Sequence, residues 1–119
     1  MDAVDDGEAI EAGVFSWFLA NDTLYGDSLV ADVFGFTPED TAKGMPLDRY
    51  VARLHPDDRE RAKRLIARAV ADGQPYHAEY RTVCTEGRTR RVIALGRCFR
   101  DHNDMLFIYS GIVYPIDQL

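Results

Sequence analysis

The chain has 119 residues, 46% of them hydrophobic and 29% charged, which suits one folded domain with a single core rather than a disordered polymer. Its net charge of −6 argues against a nucleic-acid partner, because phosphate binding needs a net basic face. No apolar run reaches the ~18 residues of a membrane span, the acidic start has no signal-peptide pattern, and a cytoplasmic location is the default expectation.

Residues 1–12 form a short acidic cap, read as a helix over Ala3 to Ala12 with Ile10 on its apolar side. Val14 to Leu19 is rich in aromatic residues (Phe15, Trp17, Phe18) and reads as a strand. Asn21-Asp22 signals a turn, and Thr23 to Tyr25 a second, short strand. Asp27-Ser28 offers a helix cap ahead of Leu29, Val30, Val33 and Phe34, and Gly35 closes that helix. Thr37-Pro38-Glu39-Asp40 opens another turn of helix, and Met45 to Arg53 is a third helical piece.

The longest helix starts in Leu54-His55-Pro56-Asp57-Asp58-Arg59-Glu60. Pro56 suits the first helical position, where its missing N–H would have no partner anyway. Asp57 and Asp58 put negative charge at the positive end of the helix dipole. Ala62, Leu65, Ile66, Ala69 and Val70 then make one apolar stripe at helical period. Gly73 is the expected left-handed cap, with Pro75 just beyond.

After Pro75 the pattern becomes extended. Tyr76 to Thr85, Thr89 to Arg100 and Met105 to Tyr114 are three strands, joined by turns at Glu86-Gly87 and Asp101-His102-Asn103-Asp104. Two strands, short helices, one longer helix and an antiparallel meander make an α+β domain with the helices on one face of the sheet.

Pairing the last two strands around their turn sets Cys98 opposite Phe107, Gly96 opposite Tyr109, Ala94 opposite Gly111 and Val92 opposite Val113. These share one face, and Arg91, Ile93, Leu95, Arg97 and Phe99 lie on the other with Leu106, Ile108, Ser110, Ile112 and Tyr114. Cys84 and Cys98 sit too far apart along the hairpin for a bridge and read as small hydrophobes. There is no Gly-rich phosphate loop, no Gly-x-Ser-x-Gly elbow and no His-x-x-x-His spacing, so no catalytic residue and no metal ligand is assigned.

Several pieces, in this order and spacing, resemble a PAS domain with a PAC-type C-terminal half. They are Val33-Phe34-Gly35-Phe36-Thr37-Pro38-Glu39-Asp40, Leu54-His55-Pro56-Asp57-Asp58-Arg59, Glu79-Tyr80-Arg81 with Glu86-Gly87, Arg97-Cys98-Phe99-Arg100-Asp101, and Gly111. The resemblance spans residues 13–117. It implies a five-stranded antiparallel sheet cupping a pocket under the helices, and a sensory or dimerising role. The pocket it implies is lined by Trp17, Leu29, Val33, Ile66, Val70, Tyr80, Val92, Ala94, Gly96, Tyr109, Gly111 and Val113.

The opposite face, with Ile93, Leu95, Phe99, Leu106, Ile108 and Ile112, would carry the readout, covered by residues 3–12 or by a second subunit in a homodimer. The resemblance further implies the input domain of a bacterial-type sensor such as a two-component histidine kinase, with any kinase or cyclase output outside this chain. The small residues of the pocket face leave room for a small molecule. They also suit the alternative, a ligand-free interaction domain whose core is filled by Trp17, Tyr80 and Phe107.

No cofactor is expected. Flavin photosensors of this fold carry an Asn-Cys-Arg-Phe-Leu motif, where this chain has Ala42-Lys43-Gly44-Met45-Pro46-Leu47 and no cysteine. For haem, His77 is the only candidate ligand, since His55 matches a structural His of the family and His102 lies in a turn. Pro115-Ile116-Asp117 stands where the family commonly has Asp-Ile-Thr leading into a signalling helix, and a proline cannot donate to a central ladder.

Overall fold

The computed structural model describes residues 11–84 and 86–116. The strands are β1 (Gly13–Phe18), β2 (Thr23–Gly26), β3 (Tyr76–Val83), β4 (Thr89–Arg100) and β5 (Leu106–Pro115). They form one antiparallel sheet in the order β2-β1-β5-β4-β3. Between β2 and β3 run the helices α1 (Ser28–Phe34), α2 (Pro38–Lys43), α3 (Leu47–Val51) and α4 (Pro56–Asp72). Most of the expected acidic cap lies outside the described residues; Glu11 and Ala12, which are described, are not helical.

The helix boundaries follow from local chemistry. The Asp27 carboxylate accepts from the Leu29 and Val30 amides, and Gly35 ends α1 at φ 76°. The Thr37 hydroxyl caps α2 by accepting from the Asp40 amide. In α4 the cap is His55, whose Nδ1 accepts from the Asp57 N–H at 3.1 Å, and Gly73 closes the helix at φ 65°. The third helical piece is shorter than expected. Pro46 disfavours helical geometry in the residue before it, so Met45 is extended and bridges Leu24 through bonds of 2.8 and 3.0 Å.

Both edges of the sheet are partly covered. The Met45 bridge shields β2. On the other side Leu54 bridges Thr82, His55 N donates to the Arg81 carbonyl, and Val83 N donates to that of Arg53. An open edge would invite pairing with another chain.

The β4–β5 register differs from the expected one by two residues. Cys98 faces Tyr109, Gly96 faces Gly111, Ala94 faces Val113 and Val92 faces Pro115. Two one-residue irregularities add up to that offset. Asp101 N bonds to the Met105 carbonyl with Asp104 at φ 63°, which draws Met105 into the loop. A bulge then leaves Phe107 unpaired, because Phe99 faces Ile108 while Arg100 faces Leu106.

Beyond the bulge the offset is even, so the division between faces is unchanged. At the bulge it is not. Leu106, expected on the outer face, lies on the helix side, where its Cδ2 is 2.8 Å from the place a Cβ on Gly73 would occupy. Phe107, expected in the core, is 45% exposed and stacks edge-on against Phe18. Pro115 ends β5 without breaking a bond. Ile116 N bonds to Arg91 across β4, so the proline nitrogen points the other way, past the start of β1 at Gly13 opposite Val113.

Candidate functional site

Between the helices and the inner face of the sheet lies a cavity of about 70 Å³. The sheet supplies Phe15 and Trp17 from β1, Leu24 from β2, Tyr76 and Tyr80 from β3, Ala94 and Gly96 from β4, and Tyr109 and Val113 from β5. The helices supply Val30 and Phe34 (α1), Leu47, Tyr50 and Val51 (α3), and Ala62, Ile66, Ala69 and Val70 (α4), with Leu54 from the loop between them. Every one is apolar or a tyrosine.

Eight of the twelve residues implied for the pocket line it: Trp17, Ile66, Val70, Tyr80, Ala94, Gly96, Tyr109 and Val113. The other four lie elsewhere. Val33 and Val92 are buried in the core outside the cavity wall, and Leu29 is half-buried beside Gly13. Gly111 sits beneath the Phe15–Gly96 contact, where it brings two strands together and opens no space. Eleven lining residues were not among those implied by the sequence: Phe15, Leu24, Val30, Phe34, Leu47, Tyr50, Val51, Leu54, Ala62, Ala69 and Tyr76. Their apolar or aromatic character was legible, but the approach of β1, β2, α1 and α3 to the meander was not.

The four phenols are held differently. Tyr50 Oη donates to the Leu24 carbonyl at 3.0 Å, and burial pushes its pKa up to about 12. Tyr109 Oη sits 2.6 Å from the Ala69 carbonyl and 2.9 Å from that of Gln74, capping the end of α4. Burial also raises Tyr109 to about 12. Tyr76 and Tyr80 line the cavity from β3. Burial moves Tyr76 up to about 12 and Tyr80 well above the ordinary phenol range. All four are neutral at physiological pH.

Next to the cavity, a groove runs between α3 and α4 over Asp48, Lys63, Ala67 and Ala71. Trp17, Leu47, Val51, Ile66 and Val70 border both spaces and form the wall between them. Trp17 is fixed there by Nε1 donating to Asp22 Oδ1 at 2.9 Å, an oxygen that also accepts from Leu47 N at 3.2 Å.

The roof of the cavity is tied to the sheet by Asp58 and Arg81. Asp58 Oδ2 accepts from Arg81 N at 2.9 Å and Nε at 3.0 Å, and Oδ1 accepts from an Arg81 terminal nitrogen at 2.9 Å. These hydrogen bonds lower the Asp58 pKa from 3.8 to about 2, against the opposing effect of its burial. Two sequence pieces far apart in the chain, one around Pro56-Asp57-Asp58 and one around Tyr80-Arg81, therefore meet at one joint.

A family model described as the PAS fold matches residues 23–113. The chain belongs to the PAS fold family. Solved structures similar to this PAS domain include the N-terminal domain of a diguanylate cyclase with PAS/PAC sensor from Marinobacter aquaeolei. That one has a TM-score of 0.82 at 16% identity, over 91% of this chain and 97% of that one. A sensory box histidine kinase/response regulator from Burkholderia thailandensis has a TM-score of 0.73 at 18% identity, over 90% and 78%. The PAS domain of a protein from Colwellia psychrerythraea has a TM-score of 0.70 at 17% identity, over 91% and 88%. No curated protein matches the sequence.

The outer face of the PAS sheet carries the remaining expected residues. Ile93, Leu95, Ile108 and Ile112 are half-buried there, and Phe99 is 53% exposed. Val14, Ser16 and Phe18 of β1 extend the same face, opposite Ile112, Ser110 and Ile108. His77 lies on it too, exposed and opposite Leu95, with the full thickness of the sheet between it and the cavity. No helix among the described residues is long and apolar enough to cross a membrane.

Proposed function

We propose that this PAS domain is a sensory input module that binds a small molecule in its cavity and signals through the packing of its outer sheet face in a homodimer. The cavity between the helices and the inner face carries this reading. Its walls come from every strand and from α1, α3 and α4, so an occupant would bear on both the sheet and the helices. A ligand that binds one dimer arrangement better than the other shifts the population toward it. The neighbouring histidine kinase and diguanylate cyclase structures support an output of that kind, residing outside these residues in the cytoplasm. The domain itself is read as non-catalytic.

The proposed ligand is neither flavin nor haem. The segment Ala42–Leu47 offers no cysteine, and His77 faces away from the cavity. A second reading, a ligand-free interaction domain, is favoured by the modest cavity and by the exposed apolar residues Val14 and Phe99, at 52% and 53%. A native mass spectrum set beside the denatured mass separates the two. Extra mass lost on denaturation is expected for the sensor; a clean dimer without it selects the interaction domain.

A further inference from the structure

Almost none of the cavity surface is polar, and no side chain on its wall is charged. Tyr50 and Tyr109, two of its four phenols, commit their O–H groups to the backbone carbonyls of Leu24 and Ala69. Among the described residues, the one buried side-chain polar atom without a hydrogen-bond partner is Thr82 Oγ1, and Thr82 is not part of the wall. The wall thus offers a polar guest almost nothing to bond. A carboxylate, phosphate or ammonium placed there would lose its hydration against carbon and gain no counter-ion. A neutral amide would bury its donors and acceptor with little return.

Water meets the same difficulty. The space of about 70 Å³ is ample for a water molecule, but a buried water needs about two to four polar partners to hold it. Left empty, the lining forgoes the dispersion contacts that a guest would supply. Size narrows the choice further. The volume is about half of the ~150 Å³ that accommodates benzene in an engineered apolar cavity, which leaves room for about three or four carbons rather than six. We propose that the cavity takes a small, wholly apolar molecule, a hydrocarbon of about three or four carbons, held by shape and dispersion without a hydrogen bond. This proposal rests on the reading of the cavity as a ligand site, and it adds the chemical class.

The test is an amide NMR titration of the whole chain with cyclopropane and, in parallel, with acetamide, a polar molecule of similar size, and with benzene. The expected result is saturable shifts centred on Ala94, Gly96 and Val113 with cyclopropane, none there with acetamide, and weaker ones with benzene. Ala94 is 2% exposed on the inner face, between Ala78 and Val113. Ala94→Val adds two methyl groups to the wall and should weaken cyclopropane binding by about fivefold or more. If that variant does not fold, Val113→Ala widens the space instead and should bring benzene binding level with that of cyclopropane. Acetamide bound in the cavity overturns the class and leaves the ligand-sensing reading standing. Benzene bound more tightly than cyclopropane by the wild type overturns the size limit. Silence from all three probes overturns the class too, and the native mass spectrum then decides the broader reading separately.

Discussion

Gly111 faces Gly96 across the β4–β5 ladder at such close range that a Cβ on Gly111 would collide with the Leu95 carbonyl oxygen. The ring tip of Phe15, itself paired with Gly111, fills the space above, 3.3 Å from where a Cβ on Gly96 would lie. The two glycines therefore do different work. Gly111 answers to backbone and Gly96 to a side chain that can move by a few tenths of an ångström.

Gly111→Ala should destabilise the domain by about 2–3 kcal/mol, because the strand backbone must shift to admit the methyl. Gly96→Ala should cost about 1 kcal/mol or less. Urea denaturation of the two variants measures both. Equal losses would mean that the close approach is not what Gly111 provides.

The Asp58–Arg81 joint should make stability fall in acid. The folded-state pKa of Asp58 is lowered to about 2 from 3.8, so its contribution is full above about pH 4 and is lost as pH falls through 2. That contribution is on the order of 2 kcal/mol, reduced by solvent around the half-exposed Arg81. Asp58→Asn should therefore be destabilised at pH 7 and lose most of its deficit near pH 2. Denaturation midpoints across that range check it, and a deficit independent of pH would put the cause in packing.

Asp104 occupies a left-handed position at φ 63°, the same place in its hairpin that Gly87 holds at φ 83° between β3 and β4. Each residue donates its N–H back to the residue three before it, Asp101 or Cys84. Glycine adopts this geometry without steric cost. Asp104→Gly should raise stability by about 0.5–1 kcal/mol, seen as a higher melting temperature. A lower one would assign the Asp104 carboxylate a larger role beside Arg100 than their 3.9 Å separation suggests.

Leu95 sits on the outer face between His77 and Ile112. If that face joins two copies, Leu95→Asp buries a charge in the middle of an apolar contact, and the dimer should weaken by at least about tenfold. Sedimentation velocity reads the change. A variant that sediments as the wild type does would move the interface elsewhere.

Local sequence determined much of this protein by itself. Asp27, Thr37, Pro56 and Gly73 set helix ends through backbone groups within a few residues. The strands of the meander and their two faces followed from alternation, and the order of the motif pieces indicated the PAS fold. Only the tertiary structure decided that β5 lies between β1 and β4, that Leu106 and Phe107 change sides at a bulge, and that Phe15, Leu24, Phe34 and Tyr50 help enclose the cavity. Caps and alternation are short-range interactions written in neighbouring residues. A bulge depends on how a loop closes against its partner strand, and a cavity wall on residues as far apart as Trp17 and Tyr109, whose meeting no local pattern records.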